Sequence, residues 1–383
     1  MILVVEPVFP NAHHAPGNAG TLKAIRLAAG EEMVMFAAHP AHRDAVFAIL
    51  GEAERALYVH EDIEVLPAGG ISFARFRSQS SSILGLVRRG KPRLVVCLGT
   101  QPETLFACRL LTRLFRDIPV VAVLHGNLNQ AAGWRSRDPR RRWFDDRASL
   151  GVAIGAPAIQ FVVLEESVRD AAVGMGLVPA DRCHVWPLAI PETEVSDRPH
   201  RPDPGRIRIA FLGSAKRAKK GFADFATMTR DLAARDRRYE FSLIGGLQET
   251  FPAEDLAHID IPGGFLDRAE FRERLHAVDY ICLPLRDDTY TLTVSGAILD
   301  AIAALKPLIA LPTPAIRALF RTSPAGFLCD DLRAMADAMR DVDSLQNAGL
   351  YEQFRDTLRR QRDARSPIAL ARIVAKLVAP AEA

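Results

Sequence analysis

Short apolar runs alternate with longer amphipathic stretches along the whole chain. In the first half the apolar runs cover residues 2–8, 33–38, 56–59, 94–98, 120–124 and 160–164. A second series covers residues 207–212, 241–244, 258–261, 280–285 and 308–311. Helical patterns separate most of these runs. Short strands alternating with helices predict parallel βαβ units, so the pattern indicates an α/β protein with doubly wound sheets.

A segment rich in proline and charge, PETEVSDRPHRPDPGR, separates the two series at residues 191–206. Its composition is typical of a linker, and 383 residues are too many for one ordinary core. We predict an N-terminal Rossmann-like domain over residues 1–190 and a C-terminal one over residues 207–365. The last helix, within residues 366–383, can pack back on the N-terminal domain. Two such domains facing a cleft would present the carboxyl ends of their strands, where parallel sheets bind ligands.

Composition narrows the classes of function. Hydrophobic residues make up 49% of the chain and charged residues 25%, as in folded globular proteins. The net charge of +3 does not indicate a dedicated nucleic-acid-binding protein. The five cysteines are scattered, and no CxxC or Cys/His cluster predicts a disulfide framework or a metal site.

Targeting signals are not evident in the sequence. Met1 leads directly into an apolar strand without a basic region before it, so we predict no signal peptide. No apolar run approaches the roughly 20 residues that cross a bilayer. We therefore expect a cytoplasmic protein.

The stretch SGAILDAIAALKPLIA, which begins at Ser295, predicts a helix that starts with small residues and stops at Lys-Pro. A strand and the polar run RDDTYTLT precede it. The first amides of a helix lack internal partners, and the helix dipole adds partial positive charge there. Because Ser295 and Gly296 leave room beside these amides, the pattern favours a phosphate-binding helix start.

Four segments then occur in a distinctive order: FLGSAKRAKKGF, FSLIGG, GGFLDRAEFRERLHAVDYICLPL and SGAILDAIAALKPLIAL. This order resembles the donor domain of GT-B glycosyltransferases of the family-4 type (glycosyl transferases group 1). In the first half, VLHGNL and the segment at residues 162–191 resemble the acceptor domain. The resemblance implies two Rossmann-like domains and a nucleoside-diphosphate sugar as donor substrate, with no cofactor or metal required.

The resemblance assigns the donor diphosphate to Lys220, on a loop that begins at Gly213, with Gly245 at the end of the next strand. Lys216 and Arg217 both compete for the position of the family's loop arginine. A cation here suits a leaving diphosphate, which gains charge as the glycosidic bond breaks. The alternative is a solvated basic turn.

The family has two carboxylates in this region. This sequence has a counterpart for the second one, but not at the expected position for the first. Asp300 falls where the second one accepts hydrogen bonds from the ribose, although it could be an ordinary polar helix position. Leu292 stands where the first is expected. Asp287 and Asp288 are nearby, and Asp288, four residues after Pro284, could return a carboxylate to the donor sugar; these aspartates could also cap a turn. This departure leaves the stereochemistry and donor open and is compatible with an inactive relative.

The first half contributes histidines at predicted strand ends. The resemblance implies that His125 lines the cleft, where a general-base role is chemically open because histidine titrates near neutrality. The loop after the first strand offers His13, His14, Asn18 and Gly20 for contacts with acceptor or donor, or it is a plain turn.

The segment GWRSRDPRRRWFDDR, at residues 133–147, interleaves arginine and tryptophan. Trp134, Arg140, Arg141, Arg142 and Trp143 suit a bilayer interface with anionic headgroups. The same residues could stack on single-stranded nucleic acid or form a salt-bridged surface loop.

Together these features predict a metal-independent hexosyltransferase that moves a sugar from a nucleotide sugar to a glycan or lipid-linked glycan. We expect it in bacterial surface polysaccharide synthesis, at the inner face of the plasma membrane, with no nucleic acid as partner. The alternatives are a sugar-nucleotide epimerase, a non-catalytic sugar-nucleotide-binding scaffold and a nucleic-acid-binding protein.

Overall fold

A computed structural model describes residues 1–67, 72–124, 126–133, 145–216, 220–264 and 266–379. The side chains of Asn127 and Asp288 lie outside this description. The chain divides into two compact units. The first combines Met1–Glu194 with Ala364–Ala383, and the second is Val195–Asp363.

The first unit is built on a seven-stranded sheet in which every neighbouring pair is parallel. Its order is β3-β2-β1-β4-β5-β6-β7, so the strand order reverses between β1 and β4. The doubly wound arrangement predicted from the sequence is confirmed. The strands are β1 (Ile2–Glu6), β2 (Val34–Ala38), β3 (Tyr58–Asp62), β4 (Leu94–Cys97), β5 (Val120–Val123), β6 (Ile159–Val163) and β7 (Cys183–Val185).

Helices on both faces cover this sheet, as buried parallel strands require. The last helix of the chain belongs to this unit and packs on the first one, and its apolar face joins the same core. The helices are α1 (Ala15–Ala29), α2 (Pro40–Leu50), α3 (Glu52–Arg55), α4 (Phe73–Gly90), α5 (Pro102–Leu114), α6 (Asn127–Gly133), α7 (Asp146–Ile154), α8 (Glu166–Gly174) and, at the end of the chain, α18 (Pro367–Val378).

The second unit has a six-stranded parallel sheet of order β10-β9-β8-β11-β12-β13. Here the strand order reverses between β8 and β11, which makes their carboxyl ends the expected ligand edge. The strands are β8 (Ile207–Leu212), β9 (Tyr239–Ile244), β10 (Ile259–Asp260), β11 (Tyr280–Leu283), β12 (Leu308–Ala310) and β13 (Gly326–Leu328).

The helices of the second unit pack around a core rich in phenylalanine, including Phe211, Phe222 and Phe225, whose rings lie 5.1 to 6.0 Å apart. The helices are α9 (Phe222–Arg235), α10 (Ala253–Leu256), α11 (Arg268–Ala277), α12 (Asp287–Tyr290), α13 (Gly296–Ala303), α14 (Pro314–Phe320), α15 (Leu332–Arg340), α16 (Val342–Leu345) and α17 (Ala348–Asp363).

Most of the proline-rich segment predicted as a linker lies on the second unit. Arg355 of α17 donates to the carbonyl oxygen of His200, and Arg362 donates to Asp197 Oδ1 at 2.8 Å. The segment is therefore held by side chains of the last helix of that unit. Among the described residues, no helix combines the length and the apolar character needed to traverse a bilayer.

Candidate functional site

Lys220 lies at the carboxyl end of β8. Gly213, the residue after this strand, has φ 107°, and a Cβ atom added to it would lie 3.1 Å from Lys220 Nζ. Gly221 has φ 72° and precedes α9, and a Cβ atom there would lie 2.3 Å from the carbonyl oxygen of Pro284. Glycine is required at both positions by backbone conformation. The ammonium is thus held at the edge where β8 and β11 end.

Gly245 brings the end of β9 against the same loop. It has φ 147°, and a Cβ atom on it would lie 2.2 Å from the carbonyl oxygen of Gly213. The amide of Gly213 donates to the carbonyl oxygen of Ile244 at 2.8 Å. The glycines predicted from the sequence therefore let two strand-end loops meet in direct backbone contact.

Helix α13 starts at the same edge, after β11. Ser295 is its N-cap residue and is buried, whereas Gly296 is exposed. A Cβ atom on Gly296 would meet no atom within 4 Å, so the fold itself does not need a glycine there. The first amides of α13 are the groups that a phosphate would use at this position.

Asp300 lies one turn into α13 and faces α11. Arg268 donates to its carboxylate at 3.0 Å, and the Arg268 guanidinium lies 4.8 Å from the centre of the Phe271 ring. The Asp300 side chain is 26% exposed. A carboxylate has about four lone-pair sites, so a residue of this type can accept more than one hydrogen bond.

The segment between β11 and α13 departs from the family pattern in a way that the structure explains. Leu292, which stands where a carboxylate is expected, is buried, as is Tyr290. The intervening residues form the short helix α12, and Asp287 lies 3.4 Å from Arg317. Asp288 is the second residue of α12, and its side chain lies outside the described part of the chain.

Several residues predicted for the site lie outside the described ranges: His125, Arg217, Trp134, Arg140, Arg141, Arg142 and Trp143. Lys216 lies within the described ranges and is partly buried.

The predicted N-terminal loop is shorter than expected. Helix α1 begins at Ala15, because a proline is tolerated in the first turn of a helix. Asn18 and Gly20 therefore lie inside α1, both buried, and a Cβ atom on Gly20 would lie 2.7 Å from the carbonyl oxygen of Ala189. His13 and His14 remain exposed at the loop. The prediction that Asn18 and Gly20 lie in a loop is therefore wrong: both are helix residues with buried contacts.

Sequence reasoning missed the group that organises this loop. Glu6, at the end of β1, is fully buried. One carboxylate oxygen accepts from the amide of Val8 at 2.9 Å, and the other accepts from Asn18 Nδ2 at 2.9 Å. Asn18 Nδ2 also lies 3.0 Å from His42 Nε2, and His42 Nδ1 lies 2.6 Å from the carbonyl oxygen of Asn11. A lone acidic residue ending an apolar strand was the available signal.

Burial raises the pKa of Glu6 to about 7, against hydrogen bonds from Val8, Asn18 and Phe9 that lower it. Between pH 4.5 and 7 the unfolded chain has released this proton and the folded chain still holds it. The contribution of Glu6 to the free energy of unfolding should therefore fall as pH rises through this window, by on the order of 3 kcal/mol.

We expect Glu6→Gln to remove that fall. Denaturant unfolding of both proteins from pH 4.5 to 8 measures it, with the exposed Glu31→Gln as the matched control. The wild type should lose stability relative to Glu6→Gln as pH rises. A constant difference between the two across the range would refute the assignment.

The described residues contain no cluster of three or more His, Cys, Asp or Glu side chains placed to bind a metal ion. The lysine of the Lys-Pro pair has a structural role. Lys306 is buried and donates to the carbonyl oxygens of His276 and Val278 at 2.8 and 2.7 Å, close to the end of α11. Burial lowers the pKa of Lys306 to about 7.

Comparisons with known proteins bear on the fold and the family. Residues 206–343 match the family model described as glycosyl transferases group 1. A glycosyltransferase from Rickettsia africae has the same fold, with 12% identity and a TM-score of 0.69 over 100% of this chain and 99% of its own. HepE from Anabaena, solved with UDP-glucose, has 12% identity and a TM-score of 0.65 over 98% of both chains.

A UDP-N-acetylglucosamine 2-epimerase shares the fold as well, at 13% identity and a TM-score of 0.58 over 98% of this chain and 95% of its own. No curated protein matches the sequence. At these identities the solved structures show the fold alone, and that fold is the GT-B fold of two parallel-sheet α/β units.

Proposed function

We propose that this chain, a GT-B protein whose second unit matches the glycosyl transferases group 1 model, is a glycosyltransferase. It would take a sugar from a nucleoside-diphosphate sugar and pass it to a hydroxyl of a glycan or lipid-linked glycan. The first unit would bind the acceptor. The observation that supports the proposal is that Lys220 lies against Gly213 at the end of β8, while Gly296 and Asp300 lie on the helix that follows β11, the strand beside β8 in the second sheet.

Each group of this edge has a part in the proposed reaction. The Lys220 ammonium and the first amides of α13 would bind the diphosphate and offset the charge that grows on it as the glycosidic bond breaks. Asp300 would accept hydrogen bonds from the ribose. Lys220 and the amides of α13 would supply positive potential without a metal ion, so we propose a metal-independent reaction.

Release of nucleoside diphosphate tests the proposal. The full chain is incubated with a panel of nucleotide sugars that begins with UDP-glucose, the ligand of the HepE structure, and free diphosphate is measured with EDTA present. A working transferase hydrolyses its donor slowly even without acceptor, because water can enter in place of the hydroxyl. The proposal is rejected if no nucleotide sugar in the panel releases nucleoside diphosphate and none raises the melting temperature.

The same samples distinguish transfer from two of the alternative functions, epimerisation and non-catalytic binding. An epimerase would change the sugar configuration, which proton NMR of the nucleotide sugar detects directly. A non-catalytic scaffold would bind the nucleotide sugar and raise the melting temperature, yet it would release no diphosphate. The match of the second unit to the glycosyltransferase model favours transfer over both.

Asp300→Ala should weaken binding of the nucleotide about tenfold, because one hydrogen bond to a charged group is lost. Titration calorimetry with UDP measures this change. Asp337→Ala, an exposed aspartate of α15, is the control and should bind UDP like the wild type. If Asp300→Ala binds UDP as tightly as the wild type, Asp300 does not bind the ribose.

We also propose contact with an anionic membrane through the first unit, where the segment at residues 133–147 carries arginine and tryptophan. The described surface supports this, because Phe73 at the start of α4 is 70% exposed and lies 6.0 Å from Phe76, between ring centres. Arg77 is exposed on the same helix. Aromatic rings beside arginine suit the headgroup region. A cytoplasmic enzyme acting at the inner face of the membrane would use such a contact.

Phe73→Ser should reduce binding to vesicles of phosphatidylcholine with 30 mol% phosphatidylglycerol (about a third anionic lipid) several-fold in a sedimentation assay. The control is Leu57→Ser, another exposed apolar residue, next to β3. Vesicle binding that is unaffected by Phe73→Ser, or absent in the wild type, would contradict the membrane contact.

A further inference from the structure

A cavity of about 320 Å³ lies in the second unit, beside the start of β8 and the end of α11. Residues 198–200 of the proline-rich segment contribute to its wall. In a parallel sheet the strands start at one edge and end at the other, so the cavity lies at the edge opposite Lys220. Its volume is within the range of small-molecule sites. No residue that the proposed reaction uses lines it, so a ligand here would be separate from the donor.

Several nitrogen atoms of the lining are not used by the fold. Arg198 Nη1 lies 3.2 Å from Glu273 Oε2, and the Nε and Nη2 atoms of Arg198 have no hydrogen-bond partner among the described residues. Arg208 donates to Asp279 through Nε and Nη2, which leaves Nη1 without a partner in the described part of the chain. The ring nitrogens of His276 are likewise unpartnered within the described ranges. Donors of this type bind the oxygens of an oxyanion.

The carboxylate behind the cavity is fully engaged in the fold. Asp279 is 1% exposed, and its Oδ1 atom lies 2.6 Å from His200 Nε2 and accepts from Arg208 Nη2 at 3.0 Å. Its Oδ2 atom accepts from the amide of Arg208 at 2.8 Å. Asp279 therefore orients the groups that line the cavity without entering it. Among the described residues, Glu273 is the one carboxylate of the lining, and its side chain is 71% exposed.

Positive charge lies behind the same wall. Lys306 is buried and donates to the carbonyl oxygens of His276 and Val278, so carbonyl groups at the end of α11 that would repel an anion are already bound. Burial lowers the pKa of His276, and the charges of Lys306 and Arg198 lower it further, against Glu273, which raises it. The charged groups nearest His276 thus favour an anion over a cation.

We propose that this cavity binds a phosphate group, with Arg198, Arg208 and His276 donating to its oxygens. The group is either inorganic phosphate or the phosphate of a small ester, because the shared chemistry is that of the oxyanion. Once bound, it would link the proline-rich segment to β8 and α11. The inference does not depend on glycosyl transfer, since it uses none of the residues assigned to that reaction.

The test measures binding of inorganic phosphate and of glycerol 3-phosphate to the full chain at constant ionic strength, from the broadening of their ³¹P NMR lines. Arg198→Ala is compared with Arg206→Ala, which is a closely matched control. Each arginine is 62% exposed and lies 3.2 Å from one glutamate, Arg198 from Glu273 and Arg206 from Glu240. Arg206 does not line the cavity. Melting temperatures confirm that each variant is folded.

Arg198→Ala should weaken phosphate binding about tenfold, the cost of one hydrogen bond between charged groups. Glu273→Gln should have the opposite effect and strengthen binding about threefold, because it removes a repulsive charge. Arg206→Ala and Glu240→Gln should bind like the wild type. The two sources differ in affinity: an ester is indicated if glycerol 3-phosphate binds at least as tightly as phosphate, and the inorganic ion if it binds more weakly.

The role of His276 is tested with sulfate, which keeps both of its charges as pH changes. The rise in melting temperature produced by sulfate, relative to chloride at equal ionic strength, should grow from about pH 8 to about pH 5.5, because His276 takes up a proton beside the anion. His200 titrates against Asp279 in the same region and can contribute a smaller part. In His276→Gln the growth should be much reduced.

The inference is overturned if Arg198→Ala binds phosphate like the wild type, or if Arg206→Ala loses affinity to the same extent, which would indicate diffuse surface charge. It is also overturned if the wild type binds neither phosphate nor glycerol 3-phosphate. Loss of phosphate binding in Lys220→Ala, without a loss in Arg198→Ala, would place the ion at the opposite edge of the sheet and contradict the inference.

Discussion

Lys220→Ala should reduce release of nucleoside diphosphate from the donor by about 10²–10³-fold, the cost of removing one group that stabilises developing charge. The ammonium lies against the end of β8, beside the glycine that opens the loop. In the proposed reaction it binds the diphosphate of the leaving group. Initial rates at saturating donor measure the effect on the chemical step.

The variant Lys220→Arg should recover part of this activity, because it keeps the charge and changes the geometry. Lys376→Ala, which removes an exposed lysine from α18, should have the wild-type rate. A wild-type rate in Lys220→Ala would show that the diphosphate is bound by other residues.

Gly245→Ala should destabilise the second unit by about 3 kcal/mol or more. Alanine strongly disfavours φ 147°, and its Cβ would lie 2.2 Å from the carbonyl oxygen of Gly213. That neighbour is backbone, so it cannot rotate away. The melting temperature of this unit should fall by roughly 6–12 °C.

The adjacent glycine provides a matched control. A Cβ on Gly246 would meet only the flexible end of Gln248, at 4.0 Å. Gly246→Ala should therefore stay within about 0.5 kcal/mol of the wild type. Similar melting temperatures for the two variants would mean that the β8 and β9 loops do not meet as described.

The architecture could be predicted from the sequence because buried parallel strands are continuous apolar runs. Runs such as residues 94–98 and 207–212 correspond to the central strands β4 and β8. The strands that escaped prediction, β7 and β13, have three residues each and lie at sheet edges. A strand of three residues at a sheet edge is paired on one side only. Its sequence therefore has no apolar run that distinguishes it from a loop.

Glycines and prolines misled the prediction at the start of the chain. In APGNAGT they suggest a turn, yet they lie in α1, where Pro16 is in the first turn and Gly20 allows close packing on Ala189. Ala189 lies about 170 residues away from Gly20 in the sequence. Tertiary contacts of this kind cannot be inferred from local propensity.

The candidate site was predictable to the extent that it lies at strand ends. Gly213, Lys220, Gly245 and Gly296 follow or precede strands and helices as expected, and parallel topology places them at one edge. The contacts of Asp300 with Arg268, and of Asp287 with Arg317, join different elements, and no spacing in the sequence indicates them. The role of each residue in catalysis stays a prediction.

A crystal structure of the chain with UDP-glucose tests the central claim most directly. We predict the diphosphate within hydrogen-bonding distance of Lys220 Nζ and of the first amides of α13, with the ribose at Asp300. A nucleotide bound to the second unit away from these groups, or to the first unit only, would contradict the account.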